Sequence, residues 1–153
     1  MRYWDEGRGE GCFEIIGTRE RDESLKSKLT EMSDPLDNLI FYQQSMQLYD
    51  ACWDDCDVLA KDFRGREVAR QLIRSCGSVS ANIEEGYGRG HGKEYPQFLR
   101  ISRGSARETK GWYQRSAKLL PAELVSDRTQ KLNGIIAMLS KTIKTLEEKN
   151  SKK

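Results

Sequence analysis

The sequence predicts an all-α protein, an antiparallel up-down four-helix bundle, and three observations lead to this prediction. From residue 34 onward, apolar residues recur every three or four positions in four successive stretches, which is the spacing of one helix face. Short segments with Gly or Pro separate the stretches, and these residues break helices. No strand-like alternation of useful length occurs. Four amphipathic helices with short connections bury their apolar faces most simply in such a bundle.

The first two predicted helices each carry an apolar stripe. Asp34-Pro35 is expected to start the first helix, because the missing N–H of proline costs nothing in a first turn. The predicted buried residues of this helix are Tyr42, Met46, Tyr49, Trp53, Cys56 and Ala60. After an interruption at 62–65, the second stripe consists of Val68, Leu72, Cys76, Val79 and Ile83. Glycine at every second position from Gly86 to Gly92 then predicts a loop.

The last two predicted helices are each marked by a proline near the start. Pro96 is tolerated in the first turn of the third helix, whose stripe consists of Tyr95, Phe98, Ile101, Ser105, Thr109, Trp112, Ser116 and Leu119. Pro121 restarts the chain into the fourth helix, whose stripe consists of Val125, Leu132, Ile135, Leu139, Ile143 and Leu146.

The first 31 residues differ from the rest. Their apolar side chains form no helical stripe, and their charge is net −2. We predict either a disordered extension or a mis-assigned start, with translation beginning at Met32. Residues 32–153 are the predicted bundle domain and carry net charge +4. No apolar run approaches the ~20 residues needed to span a bilayer, and the N-terminus lacks the apolar core of a signal peptide, so a cytoplasmic location without membrane contact is expected.

Residues that could carry chemistry are few. The cysteines Cys12, Cys52, Cys56 and Cys76 have no disulfide or zinc spacing, and His91 is the sole histidine, so we expect reduced cysteines, no metal and no cofactor. The glycine loop could cradle a phosphate, but it lacks the Lys-Ser/Thr ending of a P-loop, and a connector is the favoured interpretation. No nucleophile lies near His91 in sequence. We therefore predict no catalytic residues and no enzyme.

Polar residues also fall on the faces expected to be buried. These residues are Asn82, Glu85, Ser105 and Glu108. A buried carboxylate needs a hydrogen-bonding partner or a shifted pKa, and di-metal bundles supply Glu-x-x-His pairs that this chain does not have. We interpret the four residues as a structural polar network that fixes helix register or a subunit contact.

Basic residues form a ridge on the third predicted helix. Arg100, Arg103, Arg107 and Lys110 are spaced by three or four positions, so they share one face. Such a ridge can neutralise phosphates, and Tyr87 and Tyr95 are candidates to stack on unpaired bases. The alternative is an ordinary solvated face, since net +4 is modest for a nucleic-acid domain. The predicted phosphate-contacting residues are Arg89, Lys93, Arg100, Arg103 and Arg107.

Two motifs resemble a known family. The segment Ser78–Arg89 reads SVSANIEEGYGR and is followed by Lys93, Glu94, Tyr95, Phe98, Leu99, Ile101, Gly104, Ser105 and Glu108. This pattern is similar to the two-part motif of the 23S rRNA intervening-sequence protein family, also called the four helix bundle protein family. The segment Leu39–Leu48 is similar to the first helix of that family. The resemblance covers about residues 36–148.

The resemblance implies a left-handed bundle that assembles into a ring-like homopentamer without enzymatic activity. It also implies a relation to the accessory proteins of diversity-generating retroelements, which share this fold and bind nucleic acid and a reverse transcriptase. Members of the family are often encoded within intervening sequences of bacterial 23S rRNA genes. Arg103 and Gly111 depart from the family pattern, and glycine within a helix costs about 1 kcal/mol relative to alanine. The function expected is an oligomeric scaffold or accessory factor that binds RNA or DNA. The alternative is a structural or protein-interaction module without nucleic-acid affinity.

Overall fold

The fold was obtained as a computed structural model, which describes residues 34–90 and 93–152. Regular structure in these ranges is entirely helical, which confirms the predicted class. The helices are α1 (Ile40–Leu59), α2 (Phe63–Gly88), α3 (Glu94–Arg115) and α4 (Ala122–Asn150), with 3₁₀ turns at Pro35–Asn38 and Ser116–Lys118. Consecutive helices pack against each other and α1 also contacts α4, so the four helices form a bundle. The predicted segment 1–31, Cys12 and His91 lie outside the described residues.

The predicted stripes of α2 and α4 form much of the core. The core residues of α2 include Leu72, Cys76, Val79 and Ile83. Those of α4 are Leu132, Ile135, Leu139 and Ile143. Each of these side chains is 3% exposed or less, so both stripes were predicted correctly at their centres.

The predicted stripe of α1 was wrong by one residue. The buried residues of this helix are Phe41, Ser45, Leu48, Cys52, Asp55 and Leu59, each one position before a predicted one. One residue turns a helix by about 100°, so the predicted stripe lies on a flank of α1. Met46 is 37% exposed and Trp53 is 58% exposed on that flank. The helix also starts later than predicted, because Pro35 begins a 3₁₀ turn and α1 begins at Ile40.

The end of α2 also differs from the prediction, because the helix continues through the first glycines of the predicted loop to Gly88. Gly86 is buried, and a Cβ atom at this position would lie 2.6 Å from Cβ of Phe98 on α3. Glycine at 86 therefore lets α2 and α3 approach closely. Gly90 has φ of 84°, a left-handed conformation that glycine adopts without strain. Helix α2 thus ends two residues later than expected, at Gly88 instead of Gly86.

Candidate nucleic-acid interface

Three of the predicted phosphate-contacting residues lie together at one end of the bundle. Arg89 follows the end of α2, Lys93 precedes α3, and Arg100 lies two turns into α3. They line a groove of about 790 Å³, here called the basic groove, together with Glu94, Pro96, Gln97, Phe98, Glu147, Asn150 and Ser151. Helices α3 and α4 and the residue that follows α2 contribute to this site, so the fold brings its residues together.

Arg89 is held above an aromatic ring in this groove. Its Cζ atom lies 5.2 Å from the centroid of the Phe98 ring, a cation–π distance. Its Nε atom donates a hydrogen bond to Glu85 one turn earlier on α2. This bond raises the pKa of Arg89 above its ordinary value, so the guanidinium stays charged. The side chain is 52% exposed, and it can therefore meet a ligand in the groove.

Arg100 is positioned by contacts on both of its terminal nitrogens. Nη1 donates to Oε1 of Gln97 at 3.0 Å, and Nη2 pairs with Glu147 of α4. With Glu94, the groove holds three basic and two acidic side chains. A ligand phosphate must compete with Glu147 for Arg100, whereas Lys93 is exposed. The groove is therefore moderately, not strongly, cationic.

The predicted aromatic pair does not line the groove. Tyr87 and Tyr95 pack edge to face, with centroids 6.1 Å apart and an interplanar angle of 82°. Burial raises the pKa of Tyr95 above its ordinary value. These two rings join α2 to α3, and Phe98 is the ring that the groove presents. The sequence placed Phe98 in a core stripe, so it gave no sign of this role.

Arg103 and Lys110, two further residues of the predicted ridge, contact α4. Nη1 of Arg103 donates to Oγ of Ser140 at 3.3 Å, and Nζ of Lys110 donates to Oδ1 of Asn133 at 2.9 Å. Within the described residues, the buried Nε of Arg103 has no hydrogen-bond partner. Arg107 is exposed between them. Arg103 is thus committed to the contact between α3 and α4 and does not join Arg89, Lys93 and Arg100.

Asn82 and Ser105 belong to a set of polar contacts between α2 and α3. Ser78 links them, because its Oγ lies 3.0 Å from Oγ of Ser105 and accepts a hydrogen bond from Asn82 at 3.0 Å. Thr109 donates to Ser75 at 3.0 Å on the same side of the helix pair. The structure brings these hydroxyl groups together across the α2–α3 contact.

Glu85 and Glu108 do not join that set. Glu85 is exposed and pairs with Arg89. Glu108 is exposed and accepts a 3.4 Å hydrogen bond from Nε1 of Trp112. The helical period had placed both carboxylates beside Asn82 and Ser105, but both lie on the surface.

A buried ion pair was missed by the sequence analysis. Asp55 on α1 is 3% exposed. It accepts hydrogen bonds from Nε of Arg128 on α4 and from the hydroxyl of Tyr113 on α3, both at 2.8 Å. Hydrogen bonding to Asp55 raises the pKa of Arg128, and burial raises that of Tyr113. The 3–4 spacing of Leu48, Cys52, Asp55 and Leu59 would have revealed Asp55, had the stripe been placed one residue earlier.

The cysteines are packed into the bundle. Cys52 and Cys76 are fully buried and Cys56 is half-buried, all as free thiols. A hydrogen bond with Cys56 lowers the pKa of Cys52, but a hydrogen bond with Cys76 and burial outweigh it and raise that pKa to about 12. Across 34–90 and 93–152, no group of His, Cys, Asp and Glu side chains has the arrangement of a metal site.

The fold and the groove define a class: an all-helical bundle with a mixed-charge, net basic groove where three helices meet. The chain belongs to the 23S rRNA-intervening sequence protein family, whose pattern matches residues 37–141. The predicted resemblance is therefore confirmed. No curated protein matches the chain. No helix in the described part of the chain is long and apolar enough to cross a membrane.

A solved structure shares the fold. The chain is similar to the crystal structure of a protein with unknown function from the S23 ribosomal protein family of Bacteroides thetaiotaomicron VPI-5482, determined at 1.70 Å. The TM-score is 0.65 at 20% sequence identity, and the alignment covers 69% of this chain and 99% of that one. At this identity the likeness establishes the fold of the bundle domain.

Proposed function

We propose that this protein is a non-enzymatic scaffold or accessory factor that binds single-stranded RNA or DNA through the basic groove. The observation that carries the proposal is the convergence of Arg89, Lys93 and Arg100 in one groove that is also lined by the half-buried ring of Phe98. Cationic side chains neutralise phosphates and release counterions, while an aromatic ring offers a stacking surface that tolerates any base. The groove combines both elements within a volume of about 790 Å³.

Backbone groups at the same end support the proposal. Lys93 occupies the N-cap position of α3 without a side-chain hydrogen bond to the helix. The first amide groups of α3 therefore have no side-chain cap from this residue, and helix N-termini favour anions. A phosphate in the groove gains from these amides as well as from the three cations.

The proposal includes assembly. Ile40, Met46, Trp53 and Val58 of α1 are between 37% and 61% exposed, and large exposed apolar side chains are candidates for contacts between proteins. A homopentamer, as the family resemblance implies, would cover part of α1 and repeat the basic groove five times around a ring. A cytoplasmic location and a reverse transcriptase-like or other protein partner complete the proposal.

The direct test is binding of a fluorescein-labelled 12-nucleotide single-stranded RNA to the full chain, measured by anisotropy over a range of salt. The three phosphate contacts of the basic groove contribute about −2 to the slope of log K against log salt. Arg89→Gln with Lys93→Gln should reduce the slope by about 1.4. The matched control is Lys141→Gln with Lys144→Gln, which removes two charges from exposed positions of α4. If both double variants changed affinity and salt slope equally, RNA binding in the basic groove would be contradicted.

The alternative is a protein-interaction module without nucleic-acid affinity. It is favoured by the second groove, of about 380 Å³, which lies between α1 and α2 and is lined partly by Trp53, Cys56, Ala69 and Ile73. Light scattering distinguishes the two functions. A stable oligomer that fails to bind RNA at low salt would support the alternative and reject the first proposal.

A further inference from the structure

A second cluster of basic residues lies at the end of the bundle opposite the basic groove. Arg64 in the first turn of α2, Arg115 at the end of α3 and Lys118 in the following 3₁₀ turn line a depression of about 300 Å³ with Val68 and Leu119. We call it the end pocket. None of its lining residues is acidic, whereas two acidic residues line the basic groove.

Both arginines of the end pocket are pre-positioned on aromatic rings. Cζ of Arg115 lies 4.9 Å from the Trp112 centroid, and Cζ of Arg64 lies 5.3 Å from the Phe63 centroid. Fixing a guanidinium in advance reduces the entropy lost on binding an anion. Asp62 also pairs with Arg64 at 3.2 Å, so it orients this side chain while offsetting part of its charge.

Gly111 makes room for Arg115. A Cβ atom at this position would lie 2.6 Å from Nη1 of Arg115. The glycine, which departs from the family pattern and weakens the helix, thus permits the guanidinium to fold back over Trp112. This gives a physical use to a residue that helix propensity alone disfavours.

Phe63 supplies the second observation that points to a ligand. Its side chain is 75% exposed, the highest value among the large apolar residues exposed in the described ranges. Arg64 covers part of the ring, and the remaining surface faces solvent. Proteins bind single-stranded nucleic acid with exposed aromatic rings beside cationic side chains: the cations contact the phosphates, and the bases stack on the rings.

We propose that the end pocket is a second single-stranded nucleic-acid site, in which Arg115, Lys118 and Arg64 bind successive backbone phosphates and Phe63 stacks on a neighbouring base. This inference rests on the proposed function. The two sites lie at opposite ends of α2, whose 26 residues span about 39 Å at 1.5 Å per residue. A stacked strand advances about 3.4 Å per nucleotide, so the sites are about 11 nucleotides apart.

The test measures binding of the labelled 12-nucleotide RNA to three variants of the full chain. Arg115→Gln with Lys118→Gln should weaken binding at least fivefold and reduce the salt slope by about 1.4. Phe63→Ala should also weaken binding at least fivefold, yet leave the slope unchanged, because a ring contributes stacking and no charge. The exposed control pair Lys141→Gln with Lys144→Gln should change affinity less than twofold. Circular dichroism should show the same helicity throughout.

The outcomes separate this site from the basic groove. The end pocket is rejected if Arg115→Gln with Lys118→Gln and Phe63→Ala both bind the RNA as the control pair does. The proposed function still stands in that case if Arg89→Gln with Lys93→Gln weakens binding. If only the end-pocket variants weaken binding, the end pocket stands and the basic groove fails. Wild-type protein that does not bind the RNA at low salt rejects both.

Discussion

Replacing Arg128 with methionine is expected to destabilise the bundle strongly. The substitution removes the guanidinium that donates two hydrogen bonds to Asp55, at 2.8 and 3.3 Å. Asp55 is 3% exposed and would keep only the hydroxyl of Tyr113. Breaking a buried ion pair from one side costs about 3–5 kcal/mol, because a buried charge loses its compensation. Arg128→Met should therefore lower the free energy of unfolding by that amount.

Urea unfolding, followed by circular dichroism at fixed protomer concentration, measures this loss. The control is the double variant Asp55→Leu with Arg128→Met, which removes both charges. It should be more stable than Arg128→Met alone, because replacing an entire buried pair by apolar side chains is often neutral. The reasoning is refuted if Arg128→Met costs less than about 1 kcal/mol, or if the double variant is the less stable of the two.

Three further predictions concern two helix glycines, the N-cap of α2 and the exposed side of α1. Gly86→Ala should lower the free energy of unfolding by about 1–3 kcal/mol, because the added methyl group overpacks against Phe98. Gly111→Ala should leave the free energy of unfolding unchanged or raise it by up to about 1 kcal/mol, because only the flexible end of Arg115 is close. Urea unfolding measures both changes. Hydrogen bonds from the side chain and backbone of Arg64 lower the pKa of Asp62 from 3.8 to about 2. The ionised carboxylate of Asp62 therefore stabilises the fold above about pH 4, and this stabilisation is lost as the pH falls through about 2. The difference in Tm between wild type and Asp62→Ala should then disappear at low pH, and a difference that persists there would contradict this cause. Trp53→Lys should reduce the mass of the oligomer in light scattering without changing helicity, and an unchanged mass would exclude this flank of α1 from the subunit contact.

The helical period predicted the fold because aliphatic residues recur at helical spacing along the buried faces of α2 and α4, among them Leu72, Val79 and Ile83 in α2. It misplaced α1 because both neighbouring faces of that helix carry apolar residues. Tyr49 and Trp53 are larger than Ser45 and Asp55, yet the smaller and more polar pair is buried. Size and hydropathy favoured the wrong face, and only contacts with Tyr113 and Arg128 explain why Asp55 belongs in the interior.

The candidate site was predicted in part for a related reason. Arg89, Lys93 and Arg100 come together because a short turn brings the end of α2 beside the start of α3, which the sequence could indicate. The hydrogen bond from Arg103 to Ser140 depends on how α3 is rotated about its axis relative to α4. The spacing of residues along one helix contains no information about that rotation. The roles of Phe98 and the end pocket depend on pairs of helices in the same way.

The hydroxyl contacts between α2 and α3 have a consequence for motion in the bundle. Ser75 pairs with Thr109, Ser78 with Ser105, and Ser102 donates to the carbonyl oxygen of Val79 at 2.8 Å. Sliding one helix along the other would break all of these bonds at once in a buried contact, where unpaired polar groups are costly. We therefore expect α2 and α3 to move as one body during slow fluctuations. The basic groove and the end pocket lie at the two ends of this pair, so their separation is held constant.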